Sequence, residues 1–292
     1  MKTVDISVII LNFNTLALTK LCIESLMRSK LGKFSMEVIV CDNASTDGTD
    51  QMIKKEFPDV VFIQNGGNIG FAAGNNPGIK KAKGRYVLLL NSDTEVNENT
   101  LAAMILFMDD HPKAGVSTCK LILMDGSMDP ACHRGMPTPW NAFTYYTKLE
   151  KMFPKAKAFS GYHQLYKNLS TAHEVDSISG AFFLVRREVI QNVGMLDEAY
   201  FMYGEDIDWA YRIKEAGWEI WYNPTVTILH KKKQSGRSHT NRERRIKTQT
   251  LFITNNKLFY KKHYGKKYPR IVTWLVYLAF DIQMVLLKVF GI

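Results

Sequence analysis

The first 120 residues alternate apolar runs of strand length with stretches of helical periodicity, and this alternation limits the possible folds more than any other feature. Helical spacing is clearest in "TLALTKLCIESLMRS" and "DGTDQMIKKEF". Strands that alternate with helices predict parallel strands joined by right-handed crossovers, in an open sheet covered on both faces. The predicted strands read "ISVIILN", "MEVIVCDN", "VVFIQN", "RYVLLLN" and "GVSTCKLI".

The second half of the chain keeps this pattern only in part. Residues 124–173 lose the rhythm, and we interpret them as a long excursion over the mouth of the sheet. A strand and helix return in "VDSISGAFFLVRREVI", followed by a helix in "GEDIDWAYRIKEAG". The stretch "WEIWYNPTVTILH" predicts either a strand pair or one bent strand.

Composition indicates an ordered protein of the cell interior. The chain has 292 residues, of which 46% are hydrophobic, enough for a substantial core and unlike a disordered protein. Its four cysteines form no C-x-x-C pair, and the first residues lack the layout of a signal peptide. We therefore expect a reduced, cytoplasmic protein.

The formal charge of +10 is concentrated near the end of the chain. Residues 231–247 carry eight Lys or Arg and one acid, and residues 257–270 are again rich in lysine. A solvated basic face accounts for such a run, but so does binding to nucleic acid, a membrane surface or a phosphorylated substrate.

The last 22 residues, "IVTWLVYLAFDIQMVLLKVFGI", are largely apolar but interrupted by Asp281 and Lys288. On a helix, Thr273, Tyr277 and Asp281 fall on one side, which predicts an amphipathic helix lying in a membrane interface. The preceding lysines and Arg270 suit anionic lipid. The alternative is a terminal helix packed on the core.

Polar side chains collect where the predicted parallel strands end. Open α/β sheets bind ligands at the carboxyl ends of their strands. Each such residue alone is explained as a turn or helix cap, the interpretation we prefer for Asp47, but their recurrence at four strand ends favours a site. They are Asn12 and Asn14, Asp42 and Asn43, Asn68, and Asn91, Ser92 and Asp93.

Two classes of nucleotide enzyme are disfavoured. The glycine-rich stretch from Gly66 to Gly78 is not G-x-G-x-x-G, because Asn68 stands where that pattern needs glycine, and no Walker Lys-Ser/Thr pair follows. A sugar nucleotidyltransferase needs a glycine-rich loop after the first strand, and "NFNTLALT" has no glycine.

Seven blocks between residues 5 and 230 resemble, in order, those of family 2 glycosyltransferases, most closely the bacterial rhamnosyltransferase-like enzymes of surface polysaccharide synthesis. The resemblance implies an inverting enzyme with the GT-A fold, a Rossmann-like open mixed α/β sheet with helices on both faces. The blocks are "SVIILNFN", "VIVCDNASTDGT", "NIGFAAGNN", "LLLNSD", "SGAFFLVRREV", "FMYGEDIDWAYR" and "ILH".

The resemblance also implies roles for the strand-end residues. Asp42 and Asn43 match the position that holds the base and ribose of a nucleotide-sugar donor. Asp93 matches the last position of the family's D-x-D metal element, whose first position is Asn91 here. His230 matches an imidazole that ligates the metal in some relatives, and oxygen ligands with one imidazole suit Mg²⁺ or Mn²⁺. The remaining donor-binding candidates are Asn12, Asn14, Asn68, Ser92 and, beneath the sugar, Ser179.

A second acidic cluster, Glu205, Asp206 and Asp208, opens a predicted helix, where the helix dipole favours negative charge regardless of function. By resemblance, Asp206 is the general base that deprotonates the acceptor hydroxyl, and Glu205 orients the acceptor or the base. A carboxylate at a helix N-terminus keeps its charge at neutral pH, as a base must. Arg212, about one turn along, is expected to pair with these acids.

These observations predict a metal-dependent glycosyltransferase on the cytoplasmic face of the cell membrane. It is expected to move a sugar, L-rhamnose by resemblance, from a dTDP or UDP donor to a glycan or lipid-linked acceptor. Residues 1–240 are the expected catalytic domain, with a nucleotide-binding half (1–120) and an acceptor-binding half (121–240), and residues 241–292 a basic, amphipathic helical region. An inactive sugar-binding relative and a basic nucleic-acid-binding module are the alternatives, although we expect no nucleic acid partner.

Overall fold

The computed structural model describes residues 4–232 and 242–290, which form nine strands and ten α-helices. The strands are β1 (Ile6–Asn12), β2 (Met36–Asp42), β3 (Val61–Gln64), β4 (Tyr86–Asn91), β5 (Thr94–Val96), β6 (Ala114–Leu123), β7 (His173–Val175), β8 (Phe182–Arg186) and β9 (Glu219–His230). The helices are α1 (Leu16–Met27), α2 (Thr49–Glu56), α3 (Phe71–Lys81), α4 (Thr100–Asp110), α5 (Pro139–Tyr146), α6 (Leu149–Met152), α7 (Arg187–Val193), α8 (Glu205–Glu215), α9 (Arg242–Phe259) and α10 (Arg270–Phe290).

All nine strands belong to one mixed sheet, which confirms the predicted fold class. Its order is β3-β2-β1-β4-β8-β6-β9-β5, and β7 also pairs with β9. The first four strands are parallel, as the alternation predicts. Strand β6 runs in the same direction as β4, but the later strand β8 lies between them and pairs antiparallel with both.

Strand β9 is a single bent strand, one of the two predicted forms. It pairs in parallel with β6, but the register shifts between Cys119, opposite Asn223, and Lys120, opposite Thr227. The displaced stretch includes Pro224, which has no N–H to give to a ladder. Beyond the bend, β9 also pairs with β5, and this pairing brings His230 opposite Thr94.

Helix α3 packs unusually close to the sheet, and its glycines make this possible. A Cβ atom on Gly78 would lie 2.7 Å from Ile9 Cγ2 and 2.8 Å from Cys41 Sγ. One turn earlier, a Cβ on Gly74 would lie 2.7 Å from Leu11 Cδ1. These glycines therefore let α3 lie close to β1 and β2.

The excursion of residues 124–173 contains a 3-10 turn at Pro130–Cys132 and the short helices α5 and α6. It rejoins the sheet through a bridge between Arg134 and Ser177 and then through β7. The segment thus lies beside β9 and the loop before β8.

Helix α10 contacts the protein through a side that carries both apolar and polar residues, with Leu287 buried. Thr273 Oγ1 lies 3.1 Å from Tyr260 Oη, and Lys257 donates to Asp281 Oδ1 at 2.6 Å. Val276, Tyr277 and Phe280 also pack on the core, so α10 is packed in part, as the alternative of a terminal helix packed on the core expects, while its other apolar residues stay exposed. Within residues 4–232 and 242–290, α10 is the helix with the length and apolar composition to cross a membrane. Its exposed apolar residues are Ile271, Trp274, Leu275, Leu278, Ile282, Val285, Leu286, Val289 and Phe290.

The close packing of α3 generates a stability prediction. Gly78→Ala should lower the free energy of unfolding by about 1–3 kcal/mol, because the added methyl must displace the sheet. Gly66→Ala is the control, since a Cβ there meets nothing within 4 Å. Urea unfolding followed by circular dichroism measures both, and equal stability of the two variants would contradict the packing account.

Candidate functional site

The ends of β1 and β2 meet in a buried polar network centred on Asp42. Its carboxylate accepts hydrogen bonds from Asn12 Nδ2 (2.6 Å), from the Ser45 amide and hydroxyl (2.8 and 2.6 Å) and from Gln64 Nε2 (3.0 Å). A buried carboxylate requires such donors. The structure therefore brings Asn12 and Asp42 together, as predicted, and uses much of their hydrogen-bonding capacity within the protein.

The same network reaches β4 through the start of α1. Asn12 Oδ1 accepts from the hydroxyls of Thr15 (2.6 Å) and Thr19 (2.7 Å). The Thr15 hydroxyl also lies 3.2 Å from that of Ser92, which is buried. Neighbouring Asn91 is half-buried, and its backbone N–H donates to the Ala181 carbonyl at 3.1 Å.

The loop after β3 connects the end of β2 with the segment that precedes α8. Asn43 Nδ2 donates to the Gly70 carbonyl at 3.1 Å and lies 3.4 Å from Asn68 Oδ1. The next amide, of Phe71, donates to the Phe201 carbonyl at 2.6 Å. Asn43 is buried and Asn68 is exposed, so only Asn68 presents its side chain to solvent.

The side chains of Asn14 and Asp47 accept hydrogen bonds from backbone amides. Asn14 is exposed, and its side-chain oxygen accepts from the Thr46 amide at 2.8 Å. Asp47 accepts from the amides of Leu16 (2.8 Å) and Thr49 (3.2 Å). These are the first residues of α1 and α2, which agrees with the preferred interpretation of Asp47 as a cap.

Asp93 and His230 lie together at the junction of β5 and β9. His230 Nε2 is 3.4 Å from Asp93 Oδ1, while its Nδ1 is 2.9 Å from Asp129 Oδ2. Asp93 is 3% exposed and His230 4%. Burial lowers the pKa of His230, but the two carboxylates outweigh it, so that the pKa is raised above its ordinary value.

Asp129 is a supporting residue that the sequence did not reveal. It also accepts from Lys232 Nζ at 2.7 Å. Burial raises the pKa of the Asp129 carboxyl, but the hydrogen bond from His230 and the charge of Lys232 outweigh it and hold the pKa well below the usual range. Asp129 therefore anchors one imidazole nitrogen and leaves the other directed at Asp93.

This arrangement fits a hard divalent cation. A ligating histidine commonly has its second nitrogen fixed by a carboxylate, as Asp129 fixes His230. Among the described residues, no group of three or more His, Cys, Asp or Glu forms a complete protein ligand set. Mg²⁺ is usually held by one or two carboxylates together with substrate phosphates and water, and Asp93 with His230 suits that mode.

The first acids of α8 occupy different environments. Asp206 Oδ1 accepts from the Ile207 amide at 2.8 Å, and Oδ2 accepts from Arg134 Nη2 at 2.8 Å. The same Arg134 nitrogen donates to the Ile178 carbonyl at 3.0 Å. The Asp206 side chain is 14% exposed, so solvent still reaches part of it.

Glu205 departs from the expectation that an acid at a helix N-terminus keeps its charge. Its side chain is buried. Burial, followed by the adjacent Asp206 carboxylate, raises the pKa of Glu205 well above its usual range. Here desolvation outweighs the helix dipole.

Asp208 is a structural anchor. Its buried carboxylate binds Arg212 (2.8 Å), Lys262 (2.6 Å) and His263 (2.7 Å). The predicted pairing of Arg212 with the acidic cluster is therefore seen at Asp208, and the cation at Asp206 is Arg134 instead. Asp208 thus fixes α8 to the turn that follows α9.

Sequence reasoning missed Arg134 because residues 124–173 carry no periodicity from which its direction could be inferred. The only signal was a pair of charges flanking the turn in "DPACHR". Ser179, the weakest candidate, is half-buried, and its hydroxyl accepts from the Ala181 amide at 3.2 Å. It follows Ile178, whose carbonyl binds Arg134.

Comparison with known proteins gives a family. The glycosyl transferase family 2 profile matches residues 7–194. An N-acetylglucosaminyl-diphospho-decaprenol L-rhamnosyltransferase of Mycobacterium tuberculosis is 30% identical over 212 residues, 68% of each chain. The low-salt glycan biosynthesis hexosyltransferase Agl10 of Haloferax volcanii is 24% identical over 88% of this chain and 77% of its own length.

Solved structures share the fold. Mannosyltransferase PcManGT of Pyrobaculum calidifontis, in complex with GDP-Man and Mn²⁺, gives a TM-score of 0.60 at 17% identity, over 96% of this chain and 72% of that one. S. aureus TarS 1–349 with UDP-GlcNAc gives 0.60 at 18%, over 98% and 73%. With a matching sheet and more than half of its length matched by the profile, this chain belongs to glycosyl transferase family 2, enzymes that transfer a sugar from a nucleotide-sugar.

Proposed function

We propose that this enzyme transfers its sugar with inversion, by a single displacement in which Asp206 is the general base. The observation that carries the proposal is that residues 129–134 support two separate centres. At one end Asp129 holds His230 beside Asp93, and at the other Arg134 holds Asp206. A direct displacement needs a charge-stabilising group at the leaving diphosphate and a base at the acceptor, and these two centres provide one of each.

Asp93 and His230 are the residues that would hold Mg²⁺ or Mn²⁺. When bound, such a cation neutralises the negative charge that develops on the leaving diphosphate. Asn91, in the first position of the D-x-D element, supplies an amide where a second carboxylate would stand. The oxygens of the donor diphosphate would then complete the ligand set, which couples metal affinity to donor binding.

Asp206 would take the proton of the acceptor hydroxyl. Its contacts with Arg134 and the Ile207 amide fix the carboxylate, while part of the side chain stays exposed. As the proton moves to Asp206, the acceptor oxygen forms a bond to the anomeric carbon, and the bond from that carbon to the diphosphate oxygen breaks on the opposite face. Glu205, with its raised pKa, would be the neutral neighbour that avoids a second negative charge.

The donor and acceptor follow from the relatives. The mycobacterial relative is named as an N-acetylglucosaminyl-diphospho-decaprenol L-rhamnosyltransferase, which supports L-rhamnose as the sugar and a lipid-linked glycan as the acceptor. We propose dTDP or UDP as the nucleotide of the donor. Residues 1–120, with Asn12, Asp42 and Asn43, would bind the nucleotide. Residues 121–240 would bind the acceptor.

Such an acceptor favours association with the cytoplasmic face of the cell membrane. Helix α10 supports this part of the proposal, because its apolar face is exposed and Arg270, at its start, is exposed too. Part of the basic run, residues 233–241, lies outside the described residues. Helix α10 and the lysines before it are the elements that would lie on the bilayer.

Asp206→Asn should lower the rate of sugar transfer by about 10²- to 10⁴-fold, because the amide cannot accept the proton. The dissociation constant for the donor should stay unchanged. Product formation and isothermal titration with dTDP- and UDP-sugars measure the two quantities, and Asp50→Asn, at an exposed acid of α2, is the control. Parallel loss of donor binding would contradict the assignment, and donor binding without any turnover by the unaltered enzyme would favour an inactive relative.

Asp93→Asn and His230→Gln should each abolish the increase in donor affinity that Mn²⁺ produces. Asp129→Asn should weaken it by about 10- to 100-fold, because the imidazole loses its orientation. Nucleotide titrations with Mn²⁺ and with EDTA provide the comparison, again with Asp50→Asn as control. If Mn²⁺ increases the affinity of the Asp93→Asn variant as it does for the unaltered protein, the metal site lies elsewhere.

Arg134→Gln should lower the rate of sugar transfer by about tenfold or more, because the Asp206 carboxylate loses the charged donor that holds it. Arg134→Lys keeps a positive charge beside Asp206 and should retain most of the activity. Product formation under saturating donor measures both rates, and equal loss of activity in the two variants would contradict a role for the charge of Arg134.

A further inference from the structure

The segment of residues 139–157, which contains α5 and α6, carries several large apolar side chains that are exposed to solvent. Trp140 is 51% exposed and Met152 66%. The Trp140 and Phe143 rings stack with centroids 5.6 Å apart, and the Trp140 indole N–H donates to the Ala158 carbonyl at 2.6 Å. The exposed set is therefore held in a defined shape. It consists of Trp140, Phe143, Tyr145, Tyr146, Met152 and Phe153.

Exposed lysines surround these apolar residues. Lys148, Lys151, Lys155 and Lys157 are all exposed, and none forms an ion pair with a carboxylate of residues 4–232 or 242–290. The one acid of the segment, Glu150, is buried and bound to His163. The segment thus presents aromatic rings and uncompensated positive charge together, the composition of surfaces that lie on anionic membranes.

The segment adjoins α10. Burial raises the pKa of the Tyr146 hydroxyl, and Gln283, on α10, is close enough to lower it in part. Ile282 and Leu286, beside Gln283 on α10, are exposed. The apolar residues of the segment therefore continue into the apolar face of α10.

The segment also packs against the cation that holds the candidate base. The Tyr145 and Tyr162 rings lie 5.2 Å apart, and the amide of Gly135, next to Arg134, donates to the Tyr162 carbonyl at 2.7 Å. Arg134 in turn binds Asp206. Two packed residues thus separate the exposed surface from the carboxylate.

We propose that residues 139–157 and the exposed face of α10 form one docking surface for an anionic phospholipid bilayer. Resting on the proposed function, docking also brings Asp206 close to the membrane, where a lipid-linked acceptor arrives. A second copy of the chain is the less suitable occupant. An isologous contact would bring the same four lysines of both copies together without acids to compensate them.

Quenching of tryptophan fluorescence by lipids brominated near the headgroup tests the contact directly. Trp274, the other exposed tryptophan, lies on α10, so Trp274→Phe removes its signal. With vesicles of anionic phosphatidylglycerol, the Trp274→Phe protein should still be quenched, through Trp140. The Trp140→Phe/Trp274→Phe protein should lose this quenching. Absence of quenching in Trp274→Phe would overturn the proposal and leave α10 as the sole lipid contact.

Partition of the protein onto vesicles measures how much this segment contributes to membrane affinity. Phe143→Ser/Met152→Ser should bind anionic vesicles about tenfold more weakly, because two apolar side chains are lost from the interface. Met27→Ser/Leu106→Ser removes similarly exposed residues from α1 and α4 and should bind normally. Unchanged partition, or a concentration-dependent dimer in light scattering that only the first double variant abolishes, would overturn the proposal. Neither experiment depends on sugar transfer, so their failure and that of the proposed function are distinguishable.

Discussion

The arrangement of this molecule depends on two charged residues in one short segment. Asp129 and Arg134 lie on either side of the turn Pro130–Cys132; Asp129 is fully buried, and the Arg134 side chain is only 12% exposed. A buried charge is tolerable only when it is paired and hydrogen-bonded, so the partners His230 and Asp206 are as fixed as the segment itself. The end of β9 and the start of α8 are thereby held at fixed positions relative to each other. This arrangement sets where a donor and an acceptor could meet.

The nucleotide-side half of the sheet could be predicted from the sequence because its signals are local. Apolar runs, helical spacing and strand-end polar residues together indicate where parallel strands end, and Asn12 and Asp42 do meet there. The place of β8 beside β4 could not be predicted, because it depends on pairing between residues about 100 positions apart. The direction of Arg134 escaped prediction for the same reason.

Residue type alone could not separate ligand-binding groups from those that hold the site together. Asp42 and Asp208 were both conspicuous acids in motifs, yet each is buried among donors from its own chain. Asp206 differs because part of its side chain stays exposed to solvent. In Glu205, its neighbour in sequence, burial raises the pKa and favours the neutral form. Spacing along a helix gives none of this information, because the environments come from segments distant in sequence.

The final helix contacts the protein along one side and leaves a mostly apolar face uncovered. Thr273 and Asp281 bind Tyr260 and Lys257 of the preceding residues, although the Asp281 side chain stays 64% exposed. Apolar side chains make up most of the remaining outer face. A large exposed apolar patch is rarely left in water. Because residues 139–157 extend this patch and surround it with lysines, a lipid surface is the covering whose chemistry matches both properties.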